Sequence, residues 1–339
     1  MIRAAVFGAA GYAGEELLRI LTRHPEVTIT AITSRANAGK PVADIFPRFA
    51  DLALTFVQPD VPAIAAEADL AFLALPHGLA AEFAKPLVEA GVRVIDISAD
   101  FRLDDEAAFA EYYGGAHPAP ELMHEAVYGM PERNREAIRD ARLIACPGCY
   151  PTSIILPLSP LLRDGLIATR GITVCSMSGV SGAGRSVALP FLFAECNESV
   201  RPYKVIGHRH LPEIEQELSK EASGPVLINF IPHLVPVTRG IHSTIVADLA
   251  DGVDESAIAA SLESAYGDEP FVRVLPAGKL ADTKHVVLTN SVEVGYACDV
   301  RSGRVILSSA EDNLTKGASG QAVQCLNVMF GFAESAGLI

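Results

Sequence analysis

Ile2-Arg3-Ala4-Ala5-Val6-Phe7-Gly8-Ala9-Ala10-Gly11-Tyr12-Ala13-Gly14-Glu15-Glu16-Leu17-Leu18-Arg19-Ile20-Leu21 is a short apolar run, a glycine turn and a stretch of helical periodicity. Strand, glycine turn and helix start in this order are the context that a dinucleotide fingerprint requires. Gly8 allows the tight turn, Gly11 lets a pyrophosphate approach the backbone, and Gly14 lets the helix lie close on the strand. Ala10, Tyr12 and Ala13 complete the loop that would border the cofactor. The spacing is G-x-x-G-x-x-G rather than G-x-G-x-x-G, so the position after the first strand carries the reading. The alternative is an ordinary glycine-rich βα turn.

The end of the next strand, 27–33, bears on the cofactor. An NAD site wants Asp or Glu there for the ribose hydroxyls. This chain offers Ser34 and Arg35 instead. A guanidinium matches a 2′-phosphate in charge and fork geometry, which points to NADP(H). The alternative is a solvated loop arginine.

Outward from this unit, strand and helix signals alternate. Strands are predicted at 2–7, 27–33, 52–57, 70–75, 92–97 and 142–146, with helices near 13–23 and 78–90. Short apolar strands between turn signals suit a parallel sheet covered on both faces, a doubly wound Rossmann-type domain. Beyond residue 149 strands dominate, at 171–177, 226–231, 241–249, 285–289, 292–299 and 304–308. Helices are predicted at 211–221, 255–266 and from Asn313 to about Phe330. That pattern suits an α+β domain with a mixed, largely antiparallel sheet.

The 339 residues carry 27 Lys and Arg against 41 Asp and Glu, a net charge of −14, which argues against nucleic-acid binding. Cys146-x-x-Cys149 has no second ligand pair, so no metal site is expected. Only the short run Ala4 to Phe7 separates Arg3 from the glycine turn, with no apolar signal region, and the reading is cytoplasmic. Leu143 to Leu162 holds no charge over twenty residues but contains Pro147, Pro151, Pro157 and Pro160. Four prolines suit a buried strand, turn and broken helix rather than a membrane span.

That same stretch carries the chemistry. In Ala145-Cys146-Pro147-Gly148-Cys149-Tyr150-Pro151-Thr152, Cys149 sits in a Pro-Gly turn ahead of a helical run. A helix N-terminus favours a thiolate, and a thiolate there is a nucleophile for an acyl group. The alternative is a buried structural cysteine. Cys146 completes a CxxC, which would allow a reversible disulfide unless its side chain turns away into the core. An acid/base group titrating near neutrality points to histidine. His208 and His210 flank Arg209, and in an extended segment both would face one way, with Glu213 placed to orient one of them. His208 is the preferred base of the two; the alternative is a basic turn that only holds phosphate. His24 and His117 read as surface residues. Ser181-Gly182-Ala183-Gly184-Arg185 is a loop that can turn N–H groups towards the cofactor or an anion, with Arg185 at its end. Arg102 is a second candidate for a substrate carboxylate or phosphate.

These motifs together resemble the N-acetyl-gamma-glutamyl-phosphate reductase family, within the aspartate-semialdehyde dehydrogenase superfamily. The resemblance rests on the glycine turn at 8–14, Pro147-Gly148-Cys149-Tyr150-Pro151-Thr152 and Ser181-Gly182-Ala183-Gly184-Arg185. It is completed by Gly207-His208-Arg209-His210-Leu211-Pro212-Glu213-Ile214 and Asp312-Asn313-Leu314-Thr315-Lys316-Gly317-Ala318. It implies a Rossmann domain of 1–148 plus 313–339 and a catalytic and oligomerisation domain of 149–312. It also implies a homodimer or homotetramer, an acyl phosphate substrate released as inorganic phosphate, and a thioester on Cys149. Asn313 is implied near the nicotinamide carboxamide, although a helix N-cap is an equal reading, with Asp312 as rival for that place. The family usually carries Asn where this chain has Cys146. Val237-Thr238-Arg239-Gly240-Ile241-His242-Ser243 resembles the sibling family's catalytic-histidine segment, so His242 is a substrate-site candidate.

Overall fold

The computed structural model describes residues 1–339. The chain forms two compact units, Met1–Gly148 with Ala318–Ile339, and Cys149–Gly317. The return to the first unit thus comes at 318 rather than at 313. No helix is long and apolar enough to cross a membrane.

The first unit is built on seven strands: β1 (Ile2–Phe7), β2 (Val27–Thr33), β3 (Phe56–Val57), β4 (Leu70–Leu73), β5 (Arg93–Asp96), β6 (Val127–Tyr128) and β7 (Leu143–Ala145). All pair in parallel, in the order β3-β2-β1-β4-β5-β7-β6. The chain winds outward from β1 in one direction, then in the other. The reversal between β1 and β4 opens the crevice at the carboxyl edge where such sheets bind ligands.

Burial on both faces explains the uninterrupted apolar strands: Ala4 to Phe7 and Leu70 to Leu73 are wholly inaccessible. Helix Tyr12–Leu21 lays Leu17, Leu18, Ile20 and Leu21 on this core. The returning helix Gly320–Phe330 is buried as far as Met329. Its end is held by Arg93, which donates to the Met329 carbonyl at 2.8 Å, and by Gly331 at φ +71°.

Five helices of this unit escape the apolar pattern: Val42–Ile45, Val61–Ala65, Glu106–Tyr113, Pro120–Met123 and Pro131–Asp140. Only Ile138 and Pro131 of the last are buried, so it has almost no apolar face to read. The strand predicted at 52–57 shrinks to Phe56–Val57. His24 and His117 are buried, not at the surface. His24 bonds Asn327 Oδ1 at 2.8 Å and His117 meets the Asp100 carbonyl at 2.9 Å. Each Nδ1 accepts a main-chain N–H, from Glu26 and Ala119. Hydrogen bonds to the local main chain make such rings cheap to bury, and flanking polarity hides this.

The second unit carries β8 (Ile172–Ser178), β9 (Arg201–Pro202), β10 (Ile228–Leu234), β11 (Ile241–Asp248), β12 (Val272–Val274), β13 (Val292–Asp299) and β14 (Arg304–Glu311). The order is β12-β13-β14-β11-β8-β10-β9, with antiparallel pairs except β8–β10 and β12–β13. The strand predicted at 285–289 is absent. Thr283–His285 is a single 3₁₀ turn whose chain then bends through Val286, the one buried anchor of an otherwise apolar-looking run.

Helix Cys149–Arg163 packs on one face of this sheet, buried from Tyr150 to Leu162. It is continuous through Pro157 and Pro160 rather than broken. Pro160 removes the donor for the Leu156 carbonyl, and the Tyr266 hydroxyl supplies one at 2.6 Å. A chain of buried hydroxyls fixes the helix on the sheet: Ser153 to Ser243 at 2.8 Å and Ser243 to Ser176 at 2.7 Å. Ser243 therefore marks the helix-facing side of β11.

Candidate active site

In the first unit, the glycine turn follows β1 at the carboxyl edge. Gly8 lies at φ +77°, and a Cβ there would run into the Ala74 carbonyl. A Cβ on Gly14 would lie 2.5 Å from the Ala9 Cα, so helix and turn touch backbone to backbone. Neither position admits another residue without movement. The Thr33 hydroxyl at the end of β2 accepts from the Gly8 N–H at 3.3 Å. Ala10, Gly11, Tyr12 and Ala13 follow as the turn and helix start. Ser34 accepts from the Asn37 amide at 3.2 Å. Arg35 is exposed, 3.4 Å from Glu82 and over the Phe83 ring. An exposed pair of that length is weak and leaves the guanidinium available to a stronger anion. These residues fit a nicotinamide dinucleotide lying along the turn.

Behind the same edge lies a buried polar network. Asp100 accepts from the N–H groups of Gly78, Ala80 and Ala81 at 2.6, 2.9 and 3.2 Å, and so occupies the start of helix Ala80–Glu89 itself. Asp96, wholly buried, accepts from the Ser98 N–H and hydroxyl, both at 2.8 Å. Burial, and secondarily Asp100, raises its carboxyl to about 7. Arg102 is buried too. Its Nε donates to the Cys146 carbonyl at 2.7 Å and its Nη2 to the Ile97 carbonyl at 2.8 Å. These bonds give Arg102 a main-chain bracing duty that its sequence context did not suggest. The Cys146 side chain is fully buried within the apolar core of this unit, the space-filling alternative of the CxxC reading. The protein contains no disulfide.

In the second unit, Cys149 is partly accessible at the first position of its helix. Its neighbour Tyr150 packs edge-on against His208 and His210, at 5.6 and 5.9 Å between ring centroids. The two histidine rings are 5.1 Å apart, with Phe230 and Tyr203 closing the box around His208. The pair is brought together by a turn, not by the extended segment predicted. His208 Nδ1 accepts the His210 N–H at 3.1 Å. Burial first, then Lys204 and Arg209, pushes His208 down to about 4. It is a neutral, weakly basic ring at pH 7 with Nδ1 committed to the main chain. The Tyr150 and Tyr203 hydroxyls meet at 3.0 Å, and burial pushes both up, Tyr203 to about 12. Glu213 is fully buried in the first turn of helix Leu211–Glu221.

Asn313 is not a helix cap. Its Oδ1 accepts the Gly240 N–H at 2.8 Å and its Nδ2 donates to the Ser181 hydroxyl at 3.0 Å. Asp312 takes the capping place, accepting from Leu314 and Thr315 at 2.8 and 3.1 Å. Gly182 stands beside this pair, and Arg185 lies further on, in an exposed loop. His242 sits on β11 next to Ser243, so its side chain takes the sheet face opposite the cysteine helix, alongside Met177 and Ala310. The structure does not bring it to Cys149.

Three residues of this region escaped the sequence reading. Arg239 grips Asp312 with two bonds of 2.9 Å and adds one to the Thr315 hydroxyl. Glu311 ends β14, fully buried, on the helix-facing side. A Cβ on Gly317 would lie 2.8 Å from the Cys149 Cβ and 2.8 Å from Glu311 Oε1. Gly317 was quoted in the sequence only as part of a motif. Close approach of the last segment to the cysteine is what the glycine permits there.

Comparison with known proteins agrees with both units. The semialdehyde dehydrogenase NAD binding domain matches residues 3–141, and the semialdehyde dehydrogenase dimerisation domain matches 149–313. The N-acetyl-gamma-glutamyl-phosphate reductase of Akkermansia muciniphila is 55% identical over 99% of this chain and 98% of its own length. That of Geobacter metallireducens is 51% identical over 100% and 98%. Among solved structures, aspartate semialdehyde dehydrogenase II of Vibrio cholerae, complexed with ASA, shares the fold at TM-score 0.75 and 21% identity, covering 98% of each chain. The Candida albicans enzyme with NADP does so at 0.73 and 18%, over 97% of this chain and 99% of that one. Glycine turn, cysteine helix and histidine pair thus stand in a chain that belongs to the N-acetyl-gamma-glutamyl-phosphate reductase family, within the semialdehyde dehydrogenases.

Proposed function

We propose that this chain reduces N-acetyl-5-glutamyl phosphate to N-acetylglutamate 5-semialdehyde with NADPH, in the cytoplasm, as a homodimer or homotetramer and as a step of arginine biosynthesis. The observation that carries the reading is Cys149 at a helix start, with Tyr150 packed on His208 and His210.

The Cys149 thiolate attacks the acyl carbon, and the C–O bond to phosphate breaks to leave a thioester and inorganic phosphate. The 8–14 turn would hold the pyrophosphate of NADPH, with Ser34 and Arg35 on its adenosine 2′-phosphate, and the bound cofactor would supply the hydride that the acyl carbon needs. Collapse of the thiohemiacetal frees the aldehyde and returns the thiolate. His210 is the proton carrier, because burial makes His208 a weak base and its Nδ1 is committed to the His210 N–H. His208 keeps Nε2–H as a donor and orients the pair, with Glu213 at the base of the turn. Asn313, Ser181 and Gly182 border the nicotinamide, and Arg185 is left as the anion contact.

A phosphate-dependent reverse assay with the acetylated semialdehyde and NADP⁺, run beside aspartate semialdehyde, tests the proposal. Turnover of the first and not of the second is expected. Preference for aspartate semialdehyde would transfer the chain to the sibling chemistry.

A further inference from the structure

The cysteine helix begins against a carboxyl group that the mechanism above does not use. Ser243 bonds Ser153 of the helix, so the odd-numbered residues of β11 face it. Ile241 lies on that face and pairs directly with Glu311 of β14, whose side chain therefore points the same way. The close approach at Gly317 brings the two together: a Cβ there would lie 2.8 Å from both the Cys149 Cβ and Glu311 Oε1. Glu311 is wholly inaccessible to water, as are Asp312 and Lys316 in the segment that follows.

We propose that Glu311 is a positioning residue for Cys149: its negative charge opposes the thiolate, so the thiol gives up its proton only as a histidine accepts it. The inference rests on Cys149 being the working nucleophile. A helix N-terminus alone would keep the cysteine ionised at rest and open to oxidation. A buried carboxylate beside the same atom offsets that pull and makes ionisation depend on the base. The charged and titratable groups facing this place include Tyr150 on the helix with His208 and His210 packed on it, Asp312 with its partner Arg239, and Lys316. Lys316 supplies the buried positive charge in the same segment, and Tyr150 stays protonated. His242 and Glu293, which pair with Ala310, face the other side of the sheet.

The test is the rate of Cys149 alkylation by iodoacetamide against pH, followed on the Cys149 peptide in the full-length enzyme. Glu311→Gln removes the charge at nearly constant shape and should lower the alkylation midpoint by about one unit. Glu311→Asp keeps the charge but withdraws it, and should fall between the two. Turnover should drop in kcat with KM little changed. Midpoints equal to wild type in both variants overturn the proposal; if Glu311→Gln does not fold, an unmoved midpoint in Glu311→Asp does so alone. A lowered midpoint in an enzyme that ignores the acetylated semialdehyde would support this inference while removing the functional reading.

Discussion

The His210 N–H donates to His208 Nδ1 at 3.1 Å, and that bond divides the labour between two neighbouring rings. It leaves His208 in the Nε2–H form, while burial holds the ring down to about 4. We expect His210→Ala to lose two to four decades of kcat, roughly the range of a general acid/base. His208→Asn offers an oxygen at the Nδ1 position and should lose far less. The sign for stability follows from the lowered value: the neutral ring favours the fold above about 6.5, and protonation removes that as pH falls towards 4. Thermal unfolding of the wild type should therefore lose more than His208→Asn between pH 6.5 and 4. A larger kcat loss in His208→Asn than in His210→Ala would return the proton to His208.

Cys149→Ser should fold, bind NADPH and lose nearly all turnover. A serine hydroxyl in this helix start lacks the acidity that lets a thiol act with only a weak base. Unfolding midpoint and NADPH fluorescence titration check folding and binding. Activity above a few per cent of wild type would remove Cys149 from the nucleophile's place.

Arg35→Ala should weaken NADPH binding and leave NADH nearly unchanged. The exposed pair with Glu82 at 3.4 Å is replaced on binding by a charge-assisted contact worth about 1.5–3 kcal/mol. That corresponds to about one to two decades in Kd. Equal losses for both cofactors would make Arg35 structural.

These expectations differ in how much of them the sequence displayed. Gly8 and Gly14 were legible because each answers a local demand: a positive φ, or backbone contact one helical turn away. The helices 211–221 and 255–266 were legible from period and caps, and they stand at those bounds. Glu311 was not, because its place beside Cys149 exists only after β14 pairs with β11 and the 312–317 segment closes back. Arg239 and Asp312 are 73 residues apart, and nothing local marks either as the other's partner. Arg102 shows the reverse: next to Ser98 and Asp100 it resembles an anion contact, and nothing local marks the two backbone carbonyls that its Nε and Nη2 reach.

Asp96 gives a pH dependence of the opposite sense. Its folded value of about 7 lies above the usual 3.8, burial outweighing the two bonds from Ser98. The protonated form favours the fold, so its contribution is whole below about 3.8 and is lost as pH rises through 7. Asp96→Asn mimics the protonated acid. Relative to wild type, its unfolding temperature should gain steadily from pH 4 to pH 7 and stay level above. A constant difference across that range would place the ionised carboxylate in the folded protein throughout.

Arg102 tests whether a brace or a substrate contact follows Asp100. Its Nε and Nη2 hold the carbonyls of Cys146 and Ile97, and Cys146 lies three residues before Cys149 in the chain. Lysine has no second donor at that spacing, so Arg102→Lys should fail nearly as badly as Arg102→Gln. Each should lose about 3–6 kcal/mol of stability, the value of two hydrogen bonds to a charged group. Turnover should fall in kcat, with KM for the acyl phosphate almost unmoved, and alkylation of Cys149 should slow as its turn loosens. A substrate contact gives the reverse pattern: KM rises by a decade or more, the unfolding temperature holds, and Lys restores part of the loss.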